Sequence, residues 1–248
     1  MSDSAQTGKS RGANFSPADL KLYYESPFAS WMEQMNRDYP DHGIKPDLIA
    51  MGTGTADSVD PTKNKAFIEQ LKAAGNQVVI ITNDTHETGR QLNTVNAMRA
   101  GAHFIFNAHL QVVPLAGAID ILVRTGGSSR LGDYHYVPAM FYYNDPALTD
   151  MPVELCCFVD MLEHLQGVRP EEILQITNPN SASPHIARLP AEPWMFDYRK
   201  LKIGYRKAQM EFDPEDMPDP SRSRHWGRWS RHARKTLQRA AKKNKTLA

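Results

Sequence analysis

The chain has 248 residues, 41% apolar and 23% charged, with a formal net charge of +1. This mixture is rich enough in apolar residues to bury a large core, and it excludes fibrous and wholly unfolded classes. No run approaches the roughly 20 apolar residues that cross a bilayer, and the adjacent Cys156 and Cys157, the only two cysteines, exclude a disulfide framework and a four-cysteine zinc or iron–sulfur site.

Residues 1–14 are small and polar and read as a disordered leader without a secretory signal. A reducing, cytoplasmic setting with no membrane association is therefore expected. Ser16-Pro17-Ala18-Asp19 is a helix start, with a capping serine, proline at the first position and an acid in the first turn. Leu20, Tyr23 and Tyr24 share one face of that helix. A second helix follows Pro27, with Phe28, Trp31, Met32 and Met35 at helical spacing. Residues 38–62 are rich in Asp, Pro, Gly and Thr and read as loop. Helix is expected over 65–74, stopped by Gly75. Gln77–Thr82 is a β-branched strand, and Asn83-Asp84 caps a helix over 86–100 that Gly101 closes.

The pattern then turns to strands. Runs at 103–113 and 117–124 flank Pro114-Leu115-Ala116 at hairpin spacing. A Gly/Ser loop over 125–130 leads to a third run at 134–143. A helix at 153–166 ends at Gly167, a short strand covers 172–177, and 186–189 is a further candidate strand. Residues 194–211 read as a helix with a basic face, and 211–220 as an acidic, proline-rich linker. Residues 221–243 read as a basic helix with Trp226, Trp229, Ala233, Leu237 and Ala240 along one side. The charge is concentrated there: residues 221–248 hold ten of the 29 Lys/Arg and none of the 28 Asp/Glu, which leaves nineteen basic and 28 acidic side chains, a net of −9, on residues 1–220. A basic end on an acidic body is a candidate for polyanion contact.

The stretch most suggestive of chemistry is 102–143. Asp120 stands in Gly117-Ala118-Ile119-Asp120, mid-strand among apolar residues, where carboxylates are usually avoided. A buried acid needs a partner, and a divalent cation is a common one. Competing assignments carry less chemistry. Asp120 alone is compatible with a carboxylate bonded to backbone. His103 and His109 read as packing or surface residues, and His86-Glu87 as the first turn of a helix. Ser183-x-His185 lacks an acid for a hydrolytic triad. Gly52-Thr53-Gly54-Thr55 lacks the strand, lysine and helix of a phosphate loop. Trp226 and Trp229 suit either packing on the body or stacking on bases.

Several segments in order resemble the RecB-like putative nucleases of the PD-(D/E)XK nuclease superfamily. They are Ser16-Pro17-x-Asp19-Leu20, Ser26-Pro27-Phe28-x-x-Trp31, Gly101-Ala102, Gly117-x-x-Asp120, Gly132-Asp133-Tyr134-x-Tyr136, Leu162-Glu163-x-x-Gln166-Gly167-x-x-Pro170, Phe196-Asp197-Tyr198 and Gly227-Arg228-Trp229-Ser230. The resemblance implies an α/β (α+β) fold, a restriction-endonuclease-like αβββαβ core whose mixed central sheet is flanked by helices. It implies Asp120 and a helical acid, Glu87 or Glu69, as catalytic groups. A second strand acid and a lysine would then hold Mg²⁺ or Mn²⁺ and stabilise phosphodiester hydrolysis. The family's acid and lysine positions fall on Met140 and Tyr142, so its signature is incomplete. Displaced acids are Asp133, which with Asp120 forms the expected metal pair, Asp145 and Glu154.

The expected organisation is a leader at 1–14, a nuclease-like domain at 15–210, a linker at 211–220 and a basic tail at 221–248. The expected partner is nucleic acid, DNA rather than RNA, contacted through Arg222, Arg224, Arg228, Arg231, Arg234, Lys235 and Arg239. Hydrolysis is expected to be impaired or lost. The alternative is an active Mg/Mn-dependent nuclease using Asp120 and a migrated acid. No iron–sulfur cluster is expected.

Overall fold

The computed structural model describes residues 14–47, 64–143, 150–181 and 183–246, with side chains as far as 243. The leader at 1–14 (apart from Asn14), Gly52–Thr55 and Asp145 lie outside the described residues. In chain order the elements are α1 (Pro17–Glu25), α2 (Pro27–Asp38), α3 (Lys65–Ala73), β1 (Val78–Ile80), α4 (Glu87–Arg99), β2 (Phe104–Val112), β3 (Leu115–Ser129), β4 (Gly132–Tyr142), α5 (Val153–Gln166), β5 (Glu172–Thr177), β6 (His185–Pro190), α6 (Glu192–Met210) and α7 (Ser230–Thr246). The protein is mixed α/β.

The six strands form one open sheet in the order β1-β2-β3-β4-β5-β6. β1 runs parallel to β2, and β4 parallel to β5. The β2–β3, β3–β4 and β5–β6 pairs are antiparallel. The three consecutive β-patterned runs are thus neighbours, as their spacing predicts, and α5 packs across β2, β3 and β4.

Contacts divide the chain into two compact units. Among the described residues, one contains 15–17 and 64–200, and the other contains Asn14, 18–47 and 201–246. The second differs from the expected linker and tail: residues 211–246 build a unit with α2 and most of α1.

In the sheet unit, strand alternation sends odd and even positions to opposite faces. Ile121, Val137, Ala139, Phe141, Leu174 and Ile176 join Phe106 on one face, where Phe67 and Ile68 of α3 cover them. Burying side chains of this size stabilises by about 1.5–3 kcal/mol each. α5 covers the other face, burying Leu155, Phe158, Val159 and Leu162. It ends at Gly167, whose φ of +73° is the left-handed cap that glycine adopts without a Cβ penalty. Its last residue, Gln166, does a strand's work. Its side-chain carbonyl accepts from Tyr136 N–H at 2.8 Å and its amide donates to Tyr136 C=O at 3.0 Å. A stretch of β4 edge not paired to β5 is thereby satisfied.

Three local expectations change. Residues 125–129 continue β3 rather than forming a loop, because the turn tightens to Arg130-Leu131. Ser129 Oγ accepts from Leu131 N–H at 3.0 Å and donates to Tyr134 C=O at 2.5 Å. α4 starts after His86 with no side-chain cap, and Asp84 bonds the Thr82 hydroxyl instead. The basic helix begins at Ser230, not 221: residues 220–222 and 227–229 are single 3₁₀ turns, and Gly227 sits at φ +49°.

The helical unit is built around Phe28, Ala29, Met32, Trp229 and Ala233. Ser26 caps α2 by accepting from Ala29 N–H at 3.0 Å, with Pro27 at the first helical position. Trp229 is 1% exposed, so this tryptophan packs. Its indole N–H donates to Glu33 Oε1 at 2.9 Å, and Trp226 donates to Pro220 C=O at 2.8 Å.

Candidate functional site

Asp120 lies in the middle of β3, one residue before the Ile121–Ala139 pair where the β3–β4 ladder stops. Ile121 faces α3, so alternation places Asp120 on the α5 face. One carboxylate oxygen, Oδ2, accepts from Phe141 N–H at 2.7 Å. The side chain therefore supplies the acceptor that β3 backbone provides farther along. Burial pushes the Asp120 carboxyl up to about 6, the Phe141 bond opposes this, and the nearby Glu154 carboxylate adds to the rise. Glu154 stands in the first turn of α5. Burial thus holds Asp120 well above the ordinary carboxylate range, beside a second acid.

Glu87 belongs to a different group of side chains. It opens α4 and pairs with Arg90 and with His109 Nδ1 at 3.0 Å. Burial works against its charge, but the bonds to Arg90 and His109 outweigh it and hold Glu87 below the ordinary carboxylate range. His109 is buried on β2, and its backbone N–H donates to Thr94 Oγ1 of α4 at 2.9 Å. The ring's Nε2 is buried without a partner. Two residues earlier Asn107 adopts φ +51° and donates to Ile81 C=O at 2.8 Å and Asn83 Oδ1 at 3.3 Å. These contacts tie β2 to the end of β1 and the start of α4. The His109–Glu87 pair was not legible in sequence, because 22 residues separate the two and each suits a bland local role.

The expected Asp120–Asp133 metal pair does not form. Continuing the β3–β4 register sets Asp120 level with position 140. Asp133 lies seven residues down β4, about 23 Å away at a strand's rise. Asp133 is exposed and lines a cavity of about 370 Å³ with Arg124 and Tyr134. Two oxygen donors on one cation sit within about 5 Å of each other, so the pair does not fit Mg²⁺ or Mn²⁺. Among the described residues, no group of three or more His, Cys, Asp and Glu side chains converges as a metal site. Glu154 is the acid the geometry brings to Asp120.

The seven basic residues separate into two sets. Arg228 is engaged within the helical unit: Nε donates to Glu33 Oε1 at 2.7 Å and a terminal nitrogen bonds Oε2. Arg224 lies 4.9 Å over the Tyr24 ring, and its backbone N–H donates to Glu25 C=O. Arg222 is exposed on the 220–222 turn. Arg231, Arg234, Lys235 and Arg239 are exposed on α7. Arg231 also contacts Asp47 at 3.7 Å. Arg231, His232, Lys235 and Arg239 line a cavity of about 350 Å³ with Lys45. Lys45 and His232 carried no sequence signal, since one falls in an unpatterned loop and the other in a helix read only for its charge.

No family model matches the chain, and no curated protein matches it. Among the described residues, no helix is long and apolar enough to cross a membrane.

Proposed function

We propose that this chain is a nucleic-acid-binding domain on a restriction-endonuclease-like frame, with metal-dependent phosphodiester hydrolysis impaired or lost. The environment of Asp120 carries the reading. One of its oxygens is committed to Phe141 N–H. Met140 and Tyr142 occupy the strand positions where the resemblance expects the second acid and the lysine. Losing either group from such a site costs about 10²–10³ in rate. The strand order supports the frame: β2 to β6 run in sequence order, and β3 and β6 oppose the other three.

A second reading is favoured by one observation. Glu154 raises the Asp120 carboxyl, and two mutually repelling acids are what a divalent cation relieves. Asp120 with Glu154 would then form the acid pair of an active nuclease, in place of Asp120 with Asp133 or Glu87.

Calorimetric titration with Mn²⁺, combined with cleavage of labelled duplex and single-stranded DNA, separates the two. The first reading expects DNA binding, no cleavage and no Mn²⁺ binding below millimolar concentration. Cleavage abolished by Asp120→Asn overturns it in favour of the active pair. Absence of any DNA or RNA binding overturns the nucleic-acid assignment altogether.

A further inference from the structure

The basic residues of α7 are arranged rather than merely numerous. At 100° per residue, Arg231, Lys235, Arg239 and Lys242 fall within about 80° of one another on the helix, in a row about 16 Å long. Ala233 and the preceding Trp229 point to the buried side. Cations at i, i+4 spacing repel by about 0.2–0.5 kcal/mol per pair, and α7 contains no acidic residue to offset this. Asp47 contacts Arg231, accepting from its backbone N–H at 2.9 Å.

The row borders a concave site. Lys45 brings a further cation to the cavity lined by Arg231, His232, Lys235 and Arg239. Burial first, then Arg239, His42 and Lys235, push the His232 imidazole below its ordinary range. Arg239 and Lys235 thus bring positive charge to this ring. His42 adds an orphan donor: its Nδ1 accepts from Ile44 N–H at 3.1 Å, so Nε2 carries the proton, and that nitrogen is buried without a partner.

We propose that Lys45, Arg231, Lys235 and Arg239 form the phosphate-contacting surface for one nucleic-acid strand, with the cavity at His232 seating one phosphate and the α7 row following the next ones. This rests on the proposed nucleic-acid function and narrows it. It removes Arg222, Arg224 and Arg228 from the interface and adds Lys45. A linear row suits a linear polyanion better than a compact ion. The surface offers four cations, and each phosphate neutralised contributes about 0.7 to the log–log salt slope for a single strand.

The test is binding of a labelled single-stranded DNA oligonucleotide to the full chain between about 50 and 200 mM salt. Lys235→Gln/Arg239→Gln should lower affinity and flatten the slope by about 1.4. Arg222→Gln/Arg224→Gln removes the same charge and should leave the slope unchanged. Binding of the oligonucleotide should also raise the His232 titration midpoint, read by NMR. Equal losses in both double variants, or none in either, overturn the proposal while leaving nucleic-acid binding intact. Binding of inorganic phosphate as tight as that of the oligonucleotide also overturns it, by revealing a compact-anion site. No binding by the unmodified chain overturns the broader function as well.

Discussion

Asp120 ties the fold to a measurable pH dependence. Its carboxyl sits at about 6 in the folded chain against an ordinary 3.8. The folded state therefore holds its proton more tightly than the unfolded state does. Below pH 3.8 both states are protonated and the group contributes its full share of stability. As pH rises through about 6 that share is lost, because folding now requires a partly buried carboxylate beside Glu154. A tenfold change in a proton equilibrium is about 1.4 kcal/mol, so the whole interval corresponds to about 3 kcal/mol, and solvent reaching the group reduces it to about 2 kcal/mol. Asp120→Asn keeps an acceptor for Phe141 N–H and cannot ionise. Relative to the unmodified chain it should be about 2 kcal/mol more stable at pH 8, with little difference at pH 4. Thermal melts of both proteins across that range measure the difference directly, and for a chain of this size the gap at pH 8 is about 4–8 °C. Asp120→Ala cannot ionise either, so it should show the same pH dependence as the Asn variant but lie about 1–3 kcal/mol below it, through the orphaned Phe141 N–H. A difference between Asn variant and parent that does not change with pH would refute this account.

Further substitutions test the surrounding packing. Glu154→Gln removes the like charge and should move the pH-dependent limb of the melt downward in pH; an unmoved limb would mean that Glu154 does not act on Asp120. Trp229→Ala empties the core of the helical unit and deprives Glu33 of a donor, and it should cost about 3–5 kcal/mol by denaturant titration; a loss below about 1 kcal/mol would show that the tryptophan is not a core residue. Gly167→Ala forces a Cβ into φ +73° and to within 2.7 Å of Arg130 Nε. The arginine can move, so the expected cost is the backbone's, about 1–2 kcal/mol, and an unchanged melting temperature would argue against the left-handed cap.

Sheet elements were legible because their signals are local. Alternation and β-branching set out the runs at 103–113, 117–124, 134–143 and 172–177, and intervening turns and a helix of matching length arranged them. Where the expectation erred, longer-range bonds decided. Residues 125–129 contain two glycines and two serines and read as loop, yet cross-strand pairing with β4 holds them extended. The start of the basic helix shifted because packing of Trp229 and a left-handed Gly227 break the segment into turns, which helical spacing of tryptophans does not disclose.

The candidate site was legible at one residue only. A lone aspartate among apolar neighbours announces a special environment, and Asp120 has one. Its companion depends on how β4 and the first turn of α5 approach β3, and no sequence period encodes that. Asp133 was attractive because it opens the neighbouring strand, but a strand's opening lies at the far end of an antiparallel ladder from residues near the partner's start. The charge at 221–248 teaches the same lesson from the opposite side. Ten cations in a segment suggest a uniform basic tail, while the fold assigns Arg228 to Glu33, sets Arg224 on Tyr24 and places Lys235 and Arg239 beside Lys45 at one cavity. A charge engaged in its own unit is weak at a phosphate, because the existing partner must first be displaced or left unpaired. Net charge thus sets the sign of a partner, and only the arrangement of side chains says which of the charges can reach it.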